Sequence, residues 1–107
     1  IYIVLKKKIR AGVIGLGVGA HHSKILSLHS KTDLVWLCDY DIKRLQDIGS
    51  KFARVKITQN SNDIFLDPNI DLICIASYDE FHFEQVLMAL KNNKHIYVLS
   101  WRGMEQI

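Results

Sequence analysis

Two apolar runs, Leu34-Val35-Trp36-Leu37-Cys38 and Leu72-Ile73-Cys74-Ile75-Ala76, stand in a chain that alternates apolar runs with helical patterns. A strand that is apolar at every position has both faces in a core, which happens where helices cover a parallel sheet on both sides. The class is therefore α/β. Further strands are expected at 9–16, 55–58 and 95–99. Between them, 20–30 reads as a helix with Ile25, Leu26 and Leu28 toward the core. Asp41 is placed to cap a helix carrying Leu45, Ile48 and Phe52 on one face. Ser61 is placed to cap a short turn through Ile64, Phe65 and Leu66 that Asp67-Pro68 ends. A last helix presents Phe83, Val86, Leu87 and Leu90 and stops at Asn92-Asn93. Right-handed crossovers between parallel strands then give a three-layer, doubly wound sheet in the order 3-2-1-4-5.

Composition agrees with one such unit and excludes several others. The chain has 107 residues, 49% hydrophobic and 23% charged. At that size folding buries roughly 60 to 70% of the unfolded chain's surface, enough for a core without metal or disulfide staples. No apolar run approaches the roughly 18 residues of a membrane span, and Ile1 to Leu5 is too short for a signal-peptide core, so no membrane partner is expected. The net charge of +3 is spread along the chain. Its one basic cluster, Lys6 to Lys8 with Arg10, is too short to argue for nucleic acid. Cys38 and Cys74 have no zinc-ligand spacing, and the strand order sets them about two strand spacings apart, roughly 9 to 10 Å. Reduced buried thiols in a cytoplasmic protein are expected, with no disulfide and no metal site.

The residues with the most chemistry follow the first strand. In Gly15-Leu16-Gly17-Val18-Gly19-Ala20, Gly15 makes the tight turn, Gly17 lets a pyrophosphate approach the backbone, and Ala20 is the small residue where helix meets strand. The helix N-terminus then holds the phosphates through its free N–H groups and dipole. Asp39, 24 positions after Gly15 and at the end of the second strand, is placed to accept hydrogen bonds from ribose hydroxyls. Its carboxylate repels a 2′-phosphate, so NAD is favoured over NADP, with Lys43 and Arg44 assigned to solvated helix positions. This is a Rossmann-type dinucleotide site. Ser77, at the end of the fourth strand, should face the nicotinamide half of the crevice. His82 in the next helix, and His21 or His22 early in the first, are further candidates for the cofactor site.

These segments resemble the N-terminal domain of the glucose-fructose oxidoreductase / inositol dehydrogenase / rhizopine-catabolism (Gfo/Idh/MocA) family over about residues 9 to 98. The resemblance rests on Ile14 to Ala20 with His22, Leu37-Cys38-Asp39, Asp67 to Leu72, Ile75 to Asp79 with His82, and Ala89 to Val98. It implies oxidation of a sugar or cyclitol hydroxyl with NAD or NADP, the substrate being held largely by a C-terminal domain. It also implies a Glu-Lys-Pro after the last strand, where this sequence has Leu99-Ser100-Trp101, and a proline where it has Tyr78. The family's lysine is absent, so the sequence is expected to be a truncated or frame-shifted product that binds cofactor without turnover. The expected layout is an arm at 1–8, the dinucleotide-binding domain at 9–99 and an atypical tail at 100–107. Exposed sheet edges and the apolar arm leave homo-oligomerisation open. Two alternatives stand beside this reading, a non-catalytic dinucleotide sensor and an S-adenosylmethionine-binding, methyltransferase-like domain.

Overall fold

A computed structural model describes residues 8–77 and 79–99, with the side chain of Asp79 left out. The expected arm before Lys8, Tyr78 and the tail from Ser100 lie outside the described residues. The chain runs β1 (Ile9–Ile14), α1 (Gly19–Leu28), β2 (Thr32–Cys38), α2 (Ile42–Gly49), β3 (Lys56–Thr58), α3 (Asn62–Phe65), β4 (Leu72–Ile75), α4 (Asp79–Lys91) and β5 (His95–Val98). All strand pairs are parallel and the order is β3-β2-β1-β4-β5, as the sequence pattern requires.

Alternate side chains of the central strands feed two separate cores. Ile14, Ile73 and Ile75 pack with Ile64, Phe65 and Ala89 of α3 and α4. Val13, Leu37 and Cys74 pack with Leu16 and Leu45, with Leu26, Ile48 and Phe52 against them. The helix pairs α1/α2 and α3/α4 therefore cover opposite faces. Cys38 and Cys74 are free, buried thiols in different cores. Burial pushes the Cys74 thiol up to about 11. Cys38 rises to about 12, first through burial and then through the charges of Asp39 and Asp63. Neither is a nucleophile at neutral pH.

Two helices turn a different face to the sheet than their apolar residues suggest. In α1 the buried residues are Gly19 and Ser23, with Leu26 partly buried, whereas Ile25 and Leu28 are exposed, Leu28 by 75%. The helix lies too close to β1 for larger side chains. A Cβ on Gly19 would stand 2.8 Å from Val13 Cγ1, and the Ser23 hydroxyl is satisfied by the Gly19 carbonyl at 2.7 Å. In α4 Gln85 and Ala89 are buried and Val86, as expected, packs partly buried against the core with Met88, while Phe83, Leu87 and Leu90 are exposed, Phe83 by 74%. Leu66 is likewise exposed.

Caps divide in the same way. Asp41 caps α2 as expected, its Oδ1 accepting from Lys43 N at 3.0 Å and Arg44 N at 3.1 Å. Ser61 makes no side-chain cap of α3. Asn60 does so instead, accepting from Asn62 N at 3.0 Å. After α4, Asn93 takes a left-handed φ of 60°, a conformation that asparagine tolerates better than most residues, and Lys94 N returns to the Ala89 carbonyl.

The loop into β4 is pinned by a small polar cluster. Lys94, 7% exposed, donates to the carbonyls of Asp67 (2.6 Å) and Ile70 (2.8 Å), and the Trp36 indole donates to Asp67 Oδ2 at 2.8 Å. The Trp36 bond is the largest cause that holds the Asp67 carboxyl below its ordinary range; the Asn69 amide and the charges of Lys56 and Lys94 act in the same direction, against partial burial. A carboxyl lowered in the folded state adds stability above its ordinary value of 3.8 and loses it as pH falls through the folded value. Thermal melting from pH 6 to pH 2.5 should therefore show a steeper loss of Tm below about pH 4 in the unmodified chain than in Asp67→Asn. Parallel curves would show that Asp67 ionisation contributes nothing.

Candidate functional site

The first strand ends by running directly into the backbone of the fourth. Gly15 has φ +90°, and a Cβ there would stand 2.6 Å from Ser77 N and 2.7 Å from the Ala76 carbonyl carbon. Both the handedness of the turn and the space available admit only glycine. Its own N–H donates to the Cys38 carbonyl at 2.8 Å, so the turn is tied to β2 on one side and crowded by β4 on the other.

Asp39 fixes the next residue. The residue is 6% exposed; Oδ2 accepts from Leu16 N and Oδ1 from Asp41 N, each at 2.8 Å. This one side chain thus joins the glycine turn to the start of α2. The Arg44 guanidinium lies 3.5 Å from Oδ2. Arg44, expected at a solvated position of α2, is exposed, and its Nη1 stands 3.7 Å from the position of a Cβ on Gly17.

Above this turn lies a cleft of about 320 Å³ at the carboxyl ends of β1, β2 and β4. Of the residues expected to form the site, Gly15, Gly17, Val18, Asp39 and Ser77 line it. Leu16 does not, because its side chain is buried in the core with Leu37 and Leu45. Gly19 and Ala20 also lie outside the lining. The close contact of helix with strand falls on Gly19, while Ala20 borders a separate crevice between α1 and α2 with Ile48 and Phe52. The start of α1 at Val18 carries no side-chain cap, in contrast to α2, and no acidic residue stands in its first turn. Its first N–H groups are thus not claimed by a capping side chain, the arrangement that suits an anion.

The candidate histidines occupy different places. His22 is half-buried, with its ring 5.8 Å from that of Tyr97 on β5 and 5.8 Å from that of the exposed His21. Neither ring lines the cleft. His82 acts on Ser77: its Nε2 is 2.6 Å from the Ser77 carbonyl, an acceptor, so the proton sits on that nitrogen. The Ser77 hydroxyl donates to Gln85 Oε1 at 2.5 Å. Ser77 is therefore clamped by two polar side chains of α4.

Several lining residues carried no sequence signal. Tyr40 and Phe81 approach each other at 5.6 Å between ring centroids, from the ends of β2 and the start of α4. Because β1 lies between β2 and β4, this pair spans the glycine turn. No short motif marks such a contact; only the strand order brings the two together. Among the described residues no cluster of metal-ligating side chains occurs, and no helix is long and apolar enough to cross a membrane.

The residues fit a dinucleotide: a glycine turn that no Cβ can enter, a fixed carboxylate beside it and an uncapped helix start. The sequence pattern of a family described as "Oxidoreductase family, NAD-binding Rossmann fold" matches residues 9–98. Among curated relatives, myo-inositol 2-dehydrogenase of Thermotoga maritima is 30% identical over 89 residues, 82% of this chain and 27% of the relative. D-glucoside 3-dehydrogenase of Escherichia coli is 26% identical over 90 residues, 82% of this chain and 26% of the relative. A probable dehydrogenase from Thermotoga maritima has a solved structure that superposes with TM-score 0.80 at 30% identity, covering 84% of this chain and 27% of that one. The fold is also that of scyllo-inositol dehydrogenase from Lactobacillus casei, solved with NAD(H) and scyllo-inositol, at TM-score 0.79 and 23% identity, covering 86% of this chain and 28% of that one. The chain spans about a quarter of the length of the curated relatives it matches. The family match sets the S-adenosylmethionine reading aside: this chain belongs to the Gfo/Idh/MocA oxidoreductases, and residues 9–98 are their NAD-binding Rossmann domain.

Proposed function

We propose that this chain holds NAD across the carboxyl ends of β1, β2 and β4, within an oxidoreductase that moves hydride between the nicotinamide and a hydroxyl of a cyclitol or sugar. The observation that carries the reading is the Gly15 turn pressed against Ala76 and Ser77, with the Asp39 carboxylate fixed under it. NAD, when bound, supplies the hydride acceptor. Gly17 and Val18 offer backbone to the pyrophosphate, and Asp39 offers its remaining lone pairs to ribose hydroxyls. Ser77, immobilised by His82 and Gln85, shapes the nicotinamide side of the cleft.

The cyclitol or sugar substrate comes from the relatives' names, inositol and glucoside dehydrogenases. The family resemblance assigns its recognition chiefly to a C-terminal domain beyond the matched region. A working unit of residues 9–99 that binds cofactor but performs no turnover by itself belongs to this reading. So does a reducing, cytoplasmic setting, in keeping with the two buried free thiols.

Titration with NADH, followed by its fluorescence and by the rise in Tm, tests the proposal. Saturating cofactor at 100 times Kd should stabilise the fold by about 2.7 kcal/mol. No binding and no shift at millimolar NADH would refute it. Asp39→Ala should weaken NADH at least about tenfold and also lower Tm, since it strips two backbone N–H groups of their acceptor at about 1 to 3 kcal/mol each.

Two glycine variants separate folding from binding. Gly15→Ala forces a Cβ into the β4 backbone and should destabilise by about 2 kcal/mol or more. Gly17→Ala places its Cβ in ordinary contact with Arg44, at 3.7 Å, so it should fold nearly as well as the unmodified chain yet bind NADH much more weakly. Equal NADH affinity for Gly17→Ala and the unmodified chain would remove Gly17 from the phosphate site.

A further inference from the structure

We propose that this chain docks head to tail onto further copies of itself, the outward row of α4 on one copy seating in the crevice between α1 and α2 of the next. Neither surface lines the cleft, so the contact does not depend on what the cleft binds.

Phe83, Leu87 and Leu90 recur at i, i+4 and i+7 and are all exposed, so they form one row along α4. Exposed Glu80 and Glu84 fall on the same side of the helix, one turn apart. Single exposed apolar side chains are ordinary, but a contiguous row of them marks a surface that meets a partner. On the opposite face of the sheet, α1 and α2 leave a crevice of about 360 Å³ lined by Ala20, Leu28, Ile48 and Phe52 together with exposed Lys24 and Lys51. At 1.5 Å of rise per residue the row from Phe83 to Leu90 is roughly 10 Å long, against roughly 12 Å for the wall from Ala20 to Leu28.

The charges of the two surfaces are complementary. Residues 19–56, which supply α1 and α2, carry seven Lys or Arg against four Asp; residues 57–99, which supply α3 and α4, carry two Lys against six Asp or Glu. The modest net charge therefore conceals two faces of opposite sign. Asp47 is the only acid within α1 or α2, and it does not line the crevice; Lys91, in the last turn, is the only Lys or Arg within α4. Lys24, Lys51, Glu80 and Glu84 form no ion pair among the described residues. A nucleic acid would use the lysines and leave the apolar walls unfilled, and a neutral apolar ligand would do the reverse. An acidic helix with an apolar row uses both, and α4 is such a helix. Burial of the row then drives the contact, while the carboxylates fix its direction. Because the two patches lie on opposite faces of the sheet, a single partner cannot engage both, so copies add in rows or rings.

The test is the weight-average mass of the 107-residue chain, measured by sedimentation against concentration and salt. One helix seated on two makes a small interface, so the mass should rise between about 10 μM and 1 mM. Raising salt from about 0.05 to 0.5 M should weaken association at least about threefold. Leu87→Asp should stay monomeric. So should Lys24→Glu with Lys51→Glu, and separately Glu80→Lys with Glu84→Lys, since each double variant sets like charges against each other. An equimolar mixture of the two double variants should assemble again, because each surface then meets its opposite. All these side chains are exposed, and circular dichroism and melting check that the variants fold. An unmodified chain that is monomeric at about 1 mM overturns the proposal. Association that survives Leu87→Asp and the lysine variant does so too, and assigns the contact to another surface such as a sheet edge. A mixture of the two double variants that stays monomeric overturns it as well.

Discussion

The Asp39 carboxylate is the interaction on which the rest of the site depends. Buried at the end of β2, it accepts one backbone N–H from the turn after β1 and one from the loop into α2. Hydrogen bonds to a charged acceptor are worth about 1.5 to 3 kcal/mol each, and the geometry they impose matters as much as the energy. They hold the glycine turn in register with β2 while Gly15 N bonds to the Cys38 carbonyl. The same atoms that would read a ribose therefore also build the cradle for the phosphates. Binding and folding are coupled at Asp39 and separable at Gly17.

What could be read from the sequence follows from which interactions leave a periodic trace. The inner strands are legible because a doubly covered strand must be apolar at nearly every position, as in Leu72 to Ile75, whereas the edge strands β3 and β5 are largely exposed and leave a weaker trace. The glycine turn and Asp39 are legible because backbone handedness and a fixed acceptor demand particular residue types. The Asp41 cap and the Leu45, Ile48, Phe52 stripe are legible for the same local reasons. The faces of α1 and α4 are not. Apolar periodicity assumes that the largest apolar residues point inward, but α1 approaches β1 so closely that Gly19 and Ser23 take that place.

Arg44 illustrates a second kind of illegibility. Read as a helix residue three positions after Asp41, it belongs on a solvated surface, and its side chain is indeed substantially exposed. What the linear sequence hides is the angle at which α2 leaves β2. Asp41 binds the backbone amides of Lys43 and Arg44 at the start of that helix, and the guanidinium stands beside Gly17 and the Asp39 carboxylate. Tyr40 and Phe81 are hidden in the same way, since 41 positions of chain separate two rings that the strand order brings into contact.

The orientation of α4 shows how far the site reaches into the packing. Burying Phe83, Leu87 and Leu90 would recover roughly 1.5 to 3 kcal/mol for each side chain taken fully out of water. The helix instead turns Gln85 inward, where an unsatisfied amide would itself be costly. The Gln85 oxygen accepts from the Ser77 hydroxyl at the end of β4, and His82 three residues earlier binds the Ser77 carbonyl. His82, Gln85 and Ala89 then fall on one face at helical spacing, and Ala89 reaches the core with no exposure at all. Ser77 in turn crowds Gly15 through its backbone nitrogen. The inward Gln85 of α4 and the left-handed turn after β1 are thus two ends of one chain of contacts that runs through Ser77.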